Sequence, residues 1–256
     1  AVVAFQKARG LEPDGIVGPA TLEALKISDP ALATPMRLGT AAVTTDIAPG
    51  SKGYNRTTLR ADVAAAFQRV VDRAHALGAV ITSAGGMRPL HAKVTSGRAG
   101  ASLHYLGRAH DMALDSMLRK PESDPFVITR EYGPDGKRWH RVYARASGGT
   151  EMSLSAQVAP TDASVEVYAR FIDLTALFEA EGFSRIPSRA GWNPPHTRQF
   201  ASHEGWHYEM RGALVTGKTT FGEELLKVHS RAMLEGSEPW KLRDYVWTGT
   251  HFEAPR

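Results

Sequence analysis

Not one of the 256 residues is a cysteine, and this absence bounds the chain more tightly than any other feature. It rules out a disulfide scaffold, a thiol nucleophile and cysteine-ligated zinc. Any metal must be held by His, Asp or Glu, and ten histidines leave room for one. The length allows one large domain, or one domain with a small appendage. With 42% hydrophobic and 23% charged residues, the chain is neither disordered throughout nor collagen-like. No apolar run approaches the roughly 20 residues that cross a bilayer, so no membrane span is expected. The net charge of +4 is diffuse. No Lys/Arg block forms a nucleic-acid arm, and a nucleic-acid partner is not expected. Spread positive charge suits an anionic polymer.

The chain opens Ala1-Val2-Val3, with neither an initiator Met nor a charged-then-apolar leader. That fits a removed leader or a fragment. Residues 1–27 read as a small helical unit. Val2, Val3 and Phe5 suit the end of a helix stopped by Gly10. Asp14-Gly15 is a turn signal, and Gly18-Pro19 opens a second short helix over 20–25. So short a unit buries little core by itself. Residues 28–56, punctuated by Pro30, Pro35, Gly39, Pro49, Gly50 and Gly53, read as a linker. The remainder, 57–256, reads as one domain.

Within that domain, Val63, Phe67, Val70, Val71, Ala74 and Leu77 fall at helical spacing and stop at Gly78. Ala79–Ser83 suits a short buried strand ended by Gly85-Gly86. Phe126–Arg130 and Arg138–Ala146 flank Gly133-Pro134-Asp135-Gly136 and predict a β-hairpin. The spacing of Val167, Tyr168, Phe171, Ile172, Leu174 and Phe178 predicts a helix over Ser164–Ala180, closed by Gly182. Phe221, Leu225, Val228 and Ala232 predict a late helix. Helices and antiparallel strands intermix without a βαβ rhythm, so the expected class is α+β.

Two clusters carry the chemistry. The first is Ser102-Leu103-His104-Tyr105-Leu106-Gly107-Arg108-Ala109-His110-Asp111. Gly107 lets the chain turn sharply, so that His104 and Asp111 can converge. Strand alternation puts Ala109, Asp111 and Ala113 on one face and His110, Met112 and Leu114 on the other. The second is His203-Glu204-Gly205-Trp206-His207-Tyr208-Glu209-Met210. As a strand, Trp206, Tyr208 and Met210 face the core while His207 and Glu209 face away. Glu204 reaches the side of His207 only if Gly205 marks a bulge or the strand begins after it. Glu209 is its geometrical rival. A third element, Ser83-Ala84-Gly85-Gly86-Met87-Arg88-Pro89, offers Arg88 from a glycine turn. Its guanidinium suits a carboxylate or an oxyanion. Ser102 suits either substrate binding or local backbone capping.

These residues carry two resemblances. Phe5-Gln6, Gly10-Leu11, Asp14-Gly15-Ile16-Val17-Gly18-Pro19 and Thr21-Leu22 resemble about the last half of the peptidoglycan-binding domain type 1, a three-helix module of bacterial wall enzymes. Ser-x-His-x-x-Gly-x-Ala-x-Asp followed by Glu-x-Trp-His resembles the zinc D-alanyl-D-alanine peptidase family, peptidase family M15, over roughly residues 55–220. That resemblance implies a central antiparallel sheet with flanking helices, Zn²⁺ on His104, Asp111 and His207, and Glu204 rather than Glu209 as catalytic base. It also implies a substrate-facing role for Arg88. The expected activity is hydrolysis of peptidoglycan stem peptides, with D-Ala-D-Ala carboxypeptidase ahead of L-Ala-D-Glu endopeptidase. A wall-binding protein with a decayed centre, or a zinc-bearing signalling relative, are the non-catalytic alternatives. The expected location is the bacterial cell envelope or outside the cell. The segment 116–160 is longer than a minimal member needs.

Overall fold

The structure is a computed structural model that describes residues 2–15, 21, 24, 38–42, 56–90, 92, 101–114, 118–159, 163–188, 204–230, 233 and 234. The chain divides into two compact units, 1–36 and 37–256.

The first unit opens with helix α1 (Val2–Ala8). The amides of Arg9, Gly10 and Leu11 bond back to carbonyls of its last turn, so the helix stops at Gly10 as the sequence predicts. Gln6 is buried and organises the turn beyond the helix. Its Nε2 donates to Asp14 Oδ1 at 2.6 Å and to Thr21 Oγ1 at 3.1 Å, while its Oε1 accepts from the Gly15 amide at 2.9 Å. A neutral amide with donors and an acceptor satisfies both sides of a tight turn at once. Thr21 and Ala24 are helical, and the rest of the second short helix lies outside the described residues.

In the second unit, β1 (Leu38–Ala42) pairs antiparallel with β2 (Arg56–Arg60), from Leu38 opposite Arg60 to Ala42 opposite Arg56. β1 falls inside the stretch expected to be linker. Five residues among prolines and glycines give too little periodicity to reveal a strand whose partner lies beyond the same stretch. β2 runs directly into helix α2 (Ala61–Ala76), which buries Val63, Ala64, Ala66, Phe67, Val70, Val71 and Ala74. It ends at Leu77 and Gly78, as its spacing predicts. Residues 79–83 are not a strand among the described residues; the segment meets β3 through a single bridge, Gly85 to Asp111.

A 3₁₀ turn (Leu103–Leu106) leads into β3 (Ala109–Asp111). The expected hairpin is present as β4 (Phe126–Tyr132) and β5 (Arg138–Gln157), in register from Phe126 opposite Ala144 to Tyr132 opposite Arg138. β5 is longer than expected. After a register shift between Arg145 and Thr150 it continues against β6 (Ser164–Asp173). The segment 116–160 is therefore largely a β-hairpin that shares its long strand with β6.

The helix expected over Ser164–Ala180 is instead strand β6 followed by helix α3 (Leu174–Ala180). Val167, Phe171, Leu174 and Phe178 fit helical spacing. Val165, Val167, Tyr168 and Phe171 also carry strong strand preference, and ladder pairing to β5 decided. Asp173 marks the switch, its carboxylate accepting from the Ala176 amide at 2.9 Å as an N-cap. β7 (Ser184–Arg185), β8 (His207–Glu209) and helix α4 (Phe221–Leu226) complete the described elements.

Among the described residues every strand pairing is antiparallel, and helices alternate with the strands, so the class is α+β. Among the described residues the strands form a two-stranded sheet and two three-stranded sheets, ordered β3-β8-β7 and β4-β5-β6. The main core packs α2 and α3 against strand residues, with Phe67, Phe178, Phe183 and Tyr208 in ring contact. A second cluster beneath the 3₁₀ turn joins Leu103, Tyr105, Leu106 and Ala109 to Phe221 and Leu225 of α4.

Candidate metal centre

The first ligand candidate is placed by a short turn. Ser102 caps it, its Oγ accepting from the His104 amide at 3.4 Å, which is the local-capping role among the two the sequence offered. Gly107 closes it at φ 63° and ψ 24°, the left-handed region that glycine enters without cost. A Cβ there would lie 2.6 Å from the Arg60 backbone nitrogen. That nitrogen donates to the Gly107 carbonyl at 2.9 Å, so β2 presses directly on the turn. His104 is 4% exposed. Its Nδ1 lies 2.6 Å from the Gly86 carbonyl. A carbonyl only accepts, so Nδ1 carries the proton and the Nε2 lone pair points away from the backbone. Gly86 reaches this position because it has no side chain; a Cβ would strike Thr57 and the Thr58 carbonyl.

β3 pairs with β8 so that Asp111 stands directly opposite His207, His110 opposite Tyr208 and Ala109 opposite Glu209. The expected alternation holds. His110 and Tyr208 face the aromatic core, with His110 4.2 Å from Phe67 between ring centroids. Asp111 and His207 share the other face. Asp111 Oδ2 lies 3.1 Å from His104 Nε2, and its Oδ1 lies 2.8 Å from His207 Nδ1. One donor atom from each of the three residues falls within 4.8 Å of the others.

The electrostatics are those of a half-buried carboxylate between two imidazoles. Burial by itself would raise the Asp111 carboxyl; His104 and His207 overrule it and hold it well below the usual carboxylate range. Burial would lower His207, but the hydrogen bonds its ring donates to Asp111 and Glu209 push it up to about 10. His207 Nε2 lies 3.1 Å from Glu209 Oε2. Glu209 is itself held ionised against its burial by His207 and Arg211.

This donor set fits a zinc ion. It offers two imidazole nitrogens and one carboxylate, the ligand types of zinc sites, close enough together to share one centre. The tautomer of His104 is already the one a metal requires.

Glu204 precedes β8 in a turn closed by the His207 amide, which donates to the Glu204 carbonyl at 3.0 Å. The strand begins after Glu204, which is one of the two conditions the sequence set for Glu204 to share the side of His207. Its φ of 56° is rare for a residue with a side chain, and such backbone strain clusters at functional sites. Glu204 is 5% exposed.

Arg88 runs alongside the centre, its amide donating to the His104 carbonyl at 3.0 Å. Its guanidinium lies 5.2 Å from the centroid of the Tyr105 ring. Its NH1 is buried without a hydrogen-bond partner.

Two features of the site escaped the sequence. The Gly86 carbonyl that sets the His104 tautomer is a backbone group, signalled only by the Gly85-Gly86 pair. Arg108 is the other. It is 2% exposed and donates through Nε to the Met210 carbonyl at 2.8 Å and through NH1 to Glu224 Oε2 at 3.0 Å. It also reaches the Gly212 carbonyl. Glu224, on α4, accepts from Arg60 and Lys227 as well. Arg108 thus ties β3 to the chain leaving β8 and holds the two ligand strands in register. An arginine amid small and apolar strand residues was the available signal.

Comparison with known proteins bears on the start of the chain. Residues 1–25 match a family model described as putative peptidoglycan binding domain. No curated protein and no solved structure matches the chain. No described helix is long and apolar enough to cross a membrane. The opening segment is similar to a peptidoglycan-binding domain, and that similarity links the chain to peptidoglycan and to a cell-wall-associated or extracellular location.

Proposed function

We propose that the chain is a zinc-dependent peptidase acting on peptidoglycan stem peptides, with the fold of the zinc D,D-peptidases and a D-Ala-D-Ala carboxypeptidase specificity. The observation that carries this reading is the convergence of His104 Nε2 and His207 Nδ1 on the half-buried Asp111 carboxylate, from two segments whose sequence motifs resemble that family. The similarity of residues 1–25 to a wall-binding domain supports the substrate class.

His104, Asp111 and His207 would hold the zinc. When bound, zinc supplies Lewis-acid polarisation of a carbonyl and brings the acidity of water toward neutrality. Glu204, fixed by the turn before His207, takes a proton from the attacking water on a carboxylate oxygen and returns it to the leaving amine. Arg88 stabilises negative charge through its fixed planar donors. Its buried NH1 without a partner suits the terminal carboxylate of a D-Ala-D-Ala stem. Neither a nucleophilic serine nor a covalent intermediate is needed.

The test is zinc content of the purified full chain, followed by product analysis on defined muropeptides. The reading expects about one equivalent of zinc and release of D-Ala from pentapeptide stems. His207→Ala should lose the zinc, and Glu204→Gln should keep it while hydrolysis falls by about 10²–10⁴. Full zinc in His207→Ala overturns the metal assignment. Cleavage at L-Ala-D-Glu overturns the specificity, and zinc without cleavage of any stem bond overturns the activity.

A further inference from the structure

The sequence offers two glutamates near His207, and the structure places one of them, Glu209, against its ring. Asp111 meets His207 at Nδ1, whereas Glu209 meets it at Nε2. Glu209 therefore stands behind the imidazole, away from the point where the three donors converge. Both its oxygens are engaged, Oε2 with His207 at 3.1 Å and Oε1 with Arg211 NH1 at 2.7 Å. Its side chain is 6% exposed, so these bonds form largely out of water. Its backbone carbonyl accepts from Ser184 Oγ at 3.0 Å, which pins the residue to β7 as well. Across the ladder it faces Ala109, whose small side chain takes little of the space beside it.

We propose that Glu209 is a positioning residue for the metal centre: it accepts the Nε2 proton of His207, fixes the ring in the tautomer that presents the Nδ1 lone pair, and is itself held by Arg211. The inference rests on the zinc reading above. Without such an acceptor, neutral His207 can carry its proton on Nδ1 and offer the wrong nitrogen. An anionic acceptor also strengthens the donor capacity of the opposite nitrogen, and loss of such a partner typically costs about 10–100-fold in metal affinity. His104 obtains the same service from the Gly86 carbonyl, so the two imidazoles are oriented by different devices, one neutral and one charged. Glu209 has no role in taking a proton from water.

The experiment uses the full chain, stripped with a chelator and reloaded. Zinc affinity is measured by competition with a chromophoric chelator, and the visible absorption of the Co²⁺-loaded protein reports ligand geometry. Glu209→Ala should bind zinc about 10–100-fold more weakly and shift the Co²⁺ bands. Glu209→Gln, which keeps an acceptor oxygen but loses the charge, should fall between Ala and wild type. If Glu209→Ala does not fold, the Gln variant carries the test by itself. Glu204→Gln should bind zinc as wild type does. Wild-type zinc affinity and unchanged Co²⁺ bands in Glu209→Gln and in any folded Glu209→Ala overturn the positioning role, provided His207→Ala has lost the metal. Zinc retained in His207→Ala overturns the metal reading itself, so the two failures are distinguishable.

Discussion

Acid should weaken the wall behind the candidate metal centre through one residue, His110. Its ring lies against Phe67 and Phe178 and is fully buried. Nε2 sits 3.2 Å from the Thr82 carbonyl and so carries the proton of the neutral form. Nδ1 is buried with no hydrogen-bond partner. A second proton there would place an unpartnered charge in an aromatic core, and burial pushes the group down from 6.5 to about 4, despite the nearby Asp111 carboxylate. The unfolded chain therefore takes up the proton first. The stability that His110 contributes is complete above about pH 6.5 and is lost as pH falls toward about 4. At about 1.4 kcal/mol per pH unit, about 3 kcal/mol is at stake in total, and about 2 kcal/mol has gone by pH 5. That is a large share of the roughly 5–15 kcal/mol that holds a domain folded. The assay is urea unfolding at pH 8 and pH 5, with chelator present, for wild type and His110→Leu. Leucine forfeits the Thr82 bond equally at both pH values, so the difference between the two pH dependences isolates the titration. Parallel losses in wild type and variant would refute the reasoning.

Three further outcomes are expected. Gly107→Ala should cost more than the roughly 1–2 kcal/mol of a left-handed alanine, because its Cβ also meets the Arg60 backbone nitrogen at 2.6 Å; thermal melts should show this, and wild-type stability would mean that β2 yields at no cost. Arg88→Ala should lower kcat/KM on a defined stem pentapeptide by about 10–150-fold with zinc content unchanged, and Arg88→Lys should recover only part, since lysine lacks the planar fork; wild-type kinetics in both variants would put Arg88 outside the reaction. Glu224 is buried, yet Lys227, Arg108 and Arg60 hold its carboxyl below the ordinary 4.5, so its stabilising effect is present above about pH 4.5 and is lost as pH falls through the depressed value; Glu224→Gln should therefore destabilise at pH 7 and much less at pH 3, and an equal penalty at both would show that charge is not what Arg108 requires.

The helix over Ala61–Ala76 and the hairpin around Gly133–Gly136 were legible in the chain because one period, or one turn signal, is enough to specify each. The same holds for the alternation of β3 and β8, which sends His110 and Tyr208 inward and leaves Asp111 and His207 on the opposite face. The wall-binding resemblance of the first residues was legible too, since Gln6, Asp14 and Gly15 form their bonds within one short stretch. β6 was misread as helix because Val167, Phe171, Leu174 and Phe178 satisfy the helical period, while Val167 and Phe171 within the strand also fit alternation, and only pairing with β5 chooses between them. β1 was misread as linker for a related reason, as its partner strand is remote and its own pattern is brief.

At the site, residue types and spacing by themselves nominated the chemistry: no cysteine, two histidines and an aspartate in two motifs, with two glutamates competing for one role. Which imidazole nitrogen faces the centre was decided by the Gly86 carbonyl and the Glu209 carboxylate. The turn that joins Glu204 to His207 was decided where β8 begins. The register that puts Asp111 opposite His207 is held partly by Arg108 and Glu224, 116 positions apart in the chain. These are matters of distance between groups remote in sequence. Local propensity carries no record of them, because hydrogen bonds and ion pairs act only through space that the fold has already closed.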